Sequence, residues 1–309
     1  MNTEFQSALV AFGDPSPLPA RGDWRGFKTF NDTFYEATAP GKTVPASITK
    51  RDYYLDRGDG SILLRWYVPT EHRVGSSPAV LYLHGGAMIS ANVETYDWIV
   101  GKYVAQTGVP FLSVDYRTAG ERNGDSLVQD CFAGLQWLLD HAKELGVDPA
   151  RIAVMGDSAG GTLSAGVAIL ARDAGIQLAR QVLIYPALND RPAVYNQELL
   201  SLSLIAPELL DTMWDLLLGP GHEHRDVLPE IAPARLINKT DLAPAYVEAC
   251  ELDILCLEAV EYATSLSQAG VPIELHVHPG LGHGFDHLIP EAPATLRALE
   301  DRYRVIRDL

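Results

Sequence analysis

From about residue 50 onward, short apolar runs alternate with stretches in which apolar residues recur every three or four positions. The runs are 79–83, 110–114, 152–155, 182–185, 245–249 and 273–277. Unbroken runs of this kind bury both faces of a strand, which is the pattern of a parallel sheet covered on each side. The periodic stretches are 95–107, 126–145, 158–173, 207–218, 255–269 and 291–308. In 126–145, Leu127, Cys131, Leu135, Leu138 and Leu139 mark one apolar helix face. Ahead of the alternation, 51–55 and 62–68 flank Gly58, Asp59 and Gly60, a hairpin signal. A hairpin followed by alternating strand and helix predicts an α/β fold with a mostly parallel central sheet and helices on both faces.

Two stretches break the rhythm. Residues 1–45 read as irregular, rich in Pro, Gly and aromatics such as Phe27, Phe30, Phe34 and Tyr35. Residues 190–235 hold Pro192, Pro207, Gly219, Gly221, Pro229 and Pro233 around one helical stretch, and read as an insertion over the strand ends.

Composition narrows the function. The chain has 309 residues, 47% hydrophobic and 21% charged, ordinary values for a globular protein able to bury a sizeable core. With 24 basic against 40 acidic residues, the net charge of −16 argues against nucleic acid and against an anionic membrane surface. Cys131, Cys250 and Cys256 are too few and too scattered for a disulfide framework. Glu4 precedes a short apolar run with no basic segment before it, a poor export signal. The expectation is a cytoplasmic protein without stable membrane association; a homodimer is left open.

Gly156, Asp157, Ser158, Ala159 and Gly160 match the G-x-S-x-G elbow between a strand and a helix. The glycines permit a sharp turn that lifts a serine hydroxyl above the sheet, beside a helix N-terminus. His84, Gly85, Gly86 and Ala87 follow the strand 79–83. Small residues there let backbone N–H groups approach a reacting carbonyl oxygen. The base and acid should follow the serine at later strand ends. Asp253 falls after 245–249, and His283 after 273–277, in a glycine-flanked loop. Asp241 and Glu251 are rival acids; His276, His278 and His287 are rival bases. His222 with His224, and His276 with His278, lack a carboxylate at a recognisable metal spacing, so no metal is expected. No glycine-rich nucleotide loop follows a strand, so no cofactor is expected.

Further motifs appear in Val114, Asp115, Tyr116 and Arg117, in 145–152, in Tyr185 and Pro186, and in His283, Gly284 and Phe285. Together with the elbow and the His84 loop, they make the chain resemble the hormone-sensitive-lipase-like carboxylesterases, a microbial esterase and lipase group of the α/β-hydrolase fold. The resemblance implies Ser158 as nucleophile, Asp253 as acid and His283 as base. It implies an oxyanion hole from the loop Gly85, Gly86 and Ala87 together with Ala159, with Gly86 and Ala87 as the matching loop donors. His84, Met88, Asp157 and Trp214 are expected near the substrate. The resemblance divides the chain into a catalytic domain, 46–189 and 236–309, and a cap formed by 1–45 and 190–235. Ala87 stands where the group usually has glycine, and its N–H serves equally if the backbone needs no positive φ. Thr118, Ala119, Gly120 and Glu121 depart from the group's usual sequence after Arg117, in a loop read as structural. The implied activity is hydrolysis of small carboxylic esters of short-to-medium chain through an acyl-enzyme. Acyl transfer to an alcohol, lactone cleavage and deacylation would use the same triad. A non-catalytic receptor on this scaffold would be expected to lack a triad member.

Overall fold

The structure, a computed structural model, describes all residues except 13–17, 40, 72–74, 192–194, 196 and 201. Pro192, a breaker in the expected insertion, lies outside the described residues.

The chain opens with α1 (Thr3–Phe12) and α2 (Trp24–Thr38). This corrects the reading of 1–45 as irregular. Asp23 caps α2 by accepting the Gly26 N–H, and Phe27 is buried. The hairpin β1 (Ile48–Asp56) and β2 (Ser61–Pro69) follows, then β3 (Ser77–Leu83), α3 (Val93–Thr107) and β4 (Phe111–Asp115). Next come α4 (Ser126–Asp140), α5 (Ala142–Leu145), β5 (Val147–Asp157), α6 (Ala159–Asp173) and β6 (Arg180–Ile184). The stretch 190–235 carries α7 (Gln197–Leu200), α8 (Pro207–Leu218) and two 3-10 turns. The chain closes with β7 (Ala245–Cys250), α9 (Cys256–Gln268), β8 (Ile273–His278), α10 (Phe285–Leu288) and α11 (Pro293–Arg307).

The eight strands form one sheet in the order β1-β2-β4-β3-β5-β6-β7-β8. β2 runs antiparallel to β1 and to β4, and the other neighbours are parallel. Burial on both faces explains the apolar runs of β3, β4, β5, β6 and β7, whereas the run 273–277 departs from the expectation: β8 is an edge strand, and its Leu275 and Val277 are exposed. Ala79, Leu81 and Leu83 of β3 join the core that includes Leu135 of α4 and Leu163 of α6. Val80 and Tyr82, facing the other way, join the core of Val100 from α3 and Val305 from α11. The expected helix 126–145 is two elements, because His141 leaves the helical backbone and the chain restarts at Ala142.

The two irregular stretches meet. α2 packs on α8. Arg21 bridges Asp211 and Asp215, and the Gly22 N–H donates to Thr212 Oγ1 at 2.8 Å. α1 behaves differently. Its Phe5 is fully buried in the core shared with Leu281 and Phe285, behind the loop that carries His283. Among the described residues, no helix is long and apolar enough to cross a membrane.

Candidate active site

Parallel strands put the ends of β3, β5, β6, β7 and β8 on one edge of the sheet, and every candidate group rises from that edge. Ser158 follows β5 directly, with φ 54° and ψ −123°, a backbone region that side chains seldom occupy. Its N–H donates to the Ile184 carbonyl at 2.8 Å, which ties the elbow to β6. The flanking glycines are required by contact. A Cβ on Gly156 would lie 2.3 Å from the Gly160 carbonyl oxygen, and one on Gly160 would lie 2.0 Å from that of Leu83.

The side chains of Ser158, His283 and Asp253 form a continuous hydrogen-bonded chain. Ser158 Oγ is 2.8 Å from His283 Nε2, and His283 Nδ1 is 2.6 Å from Asp253 Oδ2. Asp253 and His283 are both buried. The second Asp253 oxygen accepts the Leu255 N–H at 3.0 Å, which fixes the carboxylate plane. The rivals lie elsewhere. His276 bonds Glu274 and His278 lies 3.1 Å from Glu248. Glu251 accepts the Gly280 N–H, holding the loop before His283.

Asp157 makes no hydrogen bond to the Ser158 hydroxyl or to His283. It accepts hydrogen bonds from Tyr82 and Tyr96 at 2.8 and 2.7 Å, pinning the elbow to β3 and α3. Gly85 packs on it: a Cβ there would lie 2.6 Å from Asp157 Oδ2. The loop after β3 is held by the Gly86 carbonyl, which accepts from the Ile89 and Ser90 N–H groups and from Ser90 Oγ. Among the described residues, the N–H groups of Gly86, Ala87 and Ala159 meet no protein acceptor. Ala159 opens α6, where an N–H has no acceptor within its own helix. Three donors therefore border the serine. Ala87 has φ 53°, so the condition under which alanine would be free of strain there is not met. The altered loop after Arg117 braces this region: the Ala119 N–H donates to the Met88 carbonyl, and Gly120 leaves room for the Trp24 ring.

A cavity of about 70 Å³ opens over Ser158 and His283. Its walls are Gly86, Ala87 and Asp157 below, Phe30, Asn31, Phe34 and Tyr35 from α2, Leu204, Ile205 and Leu209 at the α8 end, and Tyr185 with His287. Three expected neighbours of the substrate do not line it. His84 is fully buried and stacks on Tyr116 at 4.2 Å, while Met88 and Trp214 belong to the apolar core. Burial lowers the His84 pKa, opposed by the hydrogen bond between Nδ1 and the Gly85 carbonyl. The resemblance placed 1–45 in a cap, but Phe30, Asn31, Phe34 and Tyr35 were not among the expected site residues because 1–45 read as irregular, although the spacing of Phe27, Phe30 and Phe34 is helical.

Behind the site lies a buried charge network. Arg302 donates to both oxygens of Glu248 at 2.8 and 2.6 Å and to Asp286 at 2.5 Å. Asp286 in turn accepts from Tyr185 at 2.6 Å, and the Tyr185 ring lies 4.7 Å from that of His283. Burial opposes ionisation of Glu248, yet Arg302 outweighs it and draws the carboxyl down to about 2. Metal-type groups converge at Glu274, His276 and Asp301, where Arg304 already pairs with both carboxylates. His222 bonds Asp190, which Arg235 also grips with two nitrogens.

A serine on a strand-to-helix elbow, with histidine and acid on later strand ends, defines a serine hydrolase of the α/β-hydrolase fold. The chain belongs to that family: a profile described as alpha/beta hydrolase fold matches residues 80–287. It is 33% identical over 269 residues to Esterase LipI of Mycobacterium tuberculosis, covering 84% of this chain and 82% of that one. Ethyl acetate hydrolase of Pseudomonas putida is 33% identical over 244 residues, 76% and 74% of the two chains. The structure of a bacterial heroin esterase covers 100% of this chain and 97% of its own, with 32% identity and a TM-score of 0.87.

Proposed function

We propose that this protein is a serine carboxylesterase for small esters with short acyl groups, built on Ser158, His283 and Asp253. The observation that carries the reading is the unbroken contact from Ser158 Oγ through His283 to Asp253. Membership in the family and similarity to named esterases support the same chemistry.

The steps follow from the geometry. The substrate carbonyl enters over Ser158 with its oxygen towards the Gly86, Ala87 and Ala159 N–H groups. His283 Nε2 takes the hydroxyl proton as Oγ attacks, and Asp253 holds the ring and stabilises its positive charge. The N–H groups receive the developing oxyanion. Collapse of the tetrahedral intermediate returns the proton to the departing alcohol and leaves an acyl-serine. Water, activated by the same histidine, attacks the acyl group and frees the acid.

Cavity size and lining bear on the substrate. On a scale where one water needs ~10–15 Å³, the cavity of 70 Å³ holds about five water-sized positions, room for a short acyl chain. We read α2 and 190–235 as the cap, which roofs this space with Phe30, Phe34, Leu204, Ile205 and Leu209. The three free cysteines fit a cytoplasmic setting.

Ser158→Ala tests the assignment. A fluorophosphonate should label the wild type at Ser158, and the variant should fold yet lose several orders of magnitude in hydrolysis of p-nitrophenyl acetate and butyrate. A variant keeping more than a tenth of the activity refutes the nucleophile. Faster turnover of emulsified long-chain triglyceride than of dissolved butyrate esters refutes the substrate class.

A further inference from the structure

His287 carries the strongest unexplained signal near the site. It lies in the cavity wall beside Ser158 and is buried, 5% exposed. Its Nδ1 has no hydrogen-bond partner among the described residues. A buried nitrogen left in this state costs free energy that a ligand group can recover. Its surroundings offer no remedy. The rings of Phe34, Tyr35, Tyr96 and Trp98 enclose it at centroid distances of 5.5 to 6.3 Å. The two tyrosine hydroxyls are bonded to each other, and that of Tyr96 also serves Asp157. Nδ1 itself is closed to solvent, so a partner reaches it only by parting the wall of a space that His287 borders.

The tautomer follows from the other nitrogen. Nε2 lies 3.8 Å from Asp157 Oδ2, a carboxylate oxygen that only accepts. In the neutral ring, placing the proton on Nε2 favours this contact and leaves Nδ1 as an acceptor. The group that satisfies it is a donor. The rest of the nearby wall is mainly apolar, from Phe30, Phe34, Leu204, Ile205 and Leu209.

We propose that His287 is a specificity-determining residue, accepting a hydrogen bond from a hydroxyl group on the substrate through Nδ1. The proposal rests on the carboxylesterase reading and narrows it to hydroxylated short esters. The hydroxyl can sit on the acyl or the alcohol side, and two substrate pairs separate these.

On the acyl side, p-nitrophenyl 3-hydroxypropionate is compared with p-nitrophenyl butyrate, in which methyl replaces hydroxyl. On the alcohol side, 2-hydroxyethyl acetate is compared with propyl acetate. Each ratio of kcat/KM is divided by the ratio of alkaline hydrolysis rates, and assays run at pH 8. One neutral hydrogen bond predicts a preference of roughly twofold to tenfold for the hydroxylated member of one pair. His287→Phe should bring that ratio to about one, and His287→Asn, which keeps a polar atom near Nδ1, should restore part of it. Fluorophosphonate labelling of Ser158 shows whether each variant keeps an assembled site. If His287→Phe does not label, His287→Leu takes its place, and the comparison of wild type with His287→Asn stands alone if neither labels. Ratios of one in both wild-type pairs overturn the proposal and assign Nδ1 to water from the outer clefts that His287 also borders. So does a preference that survives in His287→Phe or His287→Leu. A preference for p-nitrophenyl methoxyacetate, which accepts but cannot donate, overturns the tautomer and the substrate class with it. Failure to hydrolyse any of these esters overturns the underlying esterase reading as well.

Discussion

Arg302→Met should cost stability in a pH-dependent way and weaken catalysis from a distance. Arg302 is fully buried, and its guanidinium satisfies Glu248 twice, Asp286 once and Tyr103 at 3.1 Å. Methionine fills similar volume but leaves two carboxylates without their cation. Removing one partner of a buried ion pair costs ~3–5 kcal/mol, far more than the pair itself contributes. For a chain of this size, the drop in Tm should be about 5–10 °C. In the wild type, Glu248 titrates at about 2, below its unfolded value, so its contribution is present above ~4.3 and lost as pH falls through 2. In the variant the sign reverses. Burial without Arg302 raises both carboxyls, protonation relieves them, and the deficit against wild type should shrink as pH falls from 8 to 5. Urea unfolding of both proteins across that range measures it. Catalysis should fall too, because Asp286 holds Tyr185 beside His283. A loss under ~1 kcal/mol, or a deficit equal at pH 5 and pH 8, would refute this account.

Two further outcomes rest on single groups. Burial lifts Glu258, which accepts the Leu188 N–H at 2.6 Å, to about 8. Its stabilising contribution is therefore present below ~4.3 and lost as pH rises through 8; Glu258→Gln should flatten the slope of unfolding free energy between pH 6 and pH 9, and an unchanged slope refutes the assignment. Ala87→Gly removes the strain of φ 53° but adds unfolded-chain freedom, so stability should change by less than ~1 kcal/mol. Without its methyl group the cavity wall recedes, and the rate on p-nitrophenyl isobutyrate relative to acetate should rise severalfold; no rise means that Ala87 does not limit the acyl pocket.

The strands and the order of the candidate groups were legible because each depends on local sequence. An apolar run such as 79–83 has no stable place except between two layers, and the glycines at 156 and 160 sit where contact forbids a side chain. The cavity was not legible in this way. Its roof comes from α2 and the α8 end, which meet through Arg21 and Gly22, contacts spanning about 190 residues of chain. Nearness in sequence misled in the other direction: His84 and Met88 flank the loop of Gly85, Gly86 and Ala87 yet turn into the core. His287, a rival base by sequence, makes no hydrogen bond to Ser158, whose Oγ meets His283, and its place in the cavity wall had no local signal.

Strain is concentrated around the candidate site. Among the described residues, six that are not glycine have positive φ, and Ala87, Met88, Ala91, Ser158 and Tyr185 of these fall in the loops after β3, β5 and β6. Each such residue costs ~1–3 kcal/mol and persists only where neighbours hold it. The holders are identifiable. Ser158 is fixed by the Ile184 carbonyl, and Tyr185 by the Glu248 carbonyl and by Asp286. The Gly86 carbonyl gathers the loop that contains Ala87 and Met88. Thus the elbow is tied to the backbone of β6, and the turn after β6 to that of β7. This bears on how Ser158→Ala is read. Alanine keeps the Cβ and therefore the backbone strain of serine, and none of the elbow's backbone bonds depends on the hydroxyl. The variant leaves the elbow as it was and removes only the oxygen that His283 touches, so a collapse in rate belongs to the lost nucleophile and not to a relaxed turn.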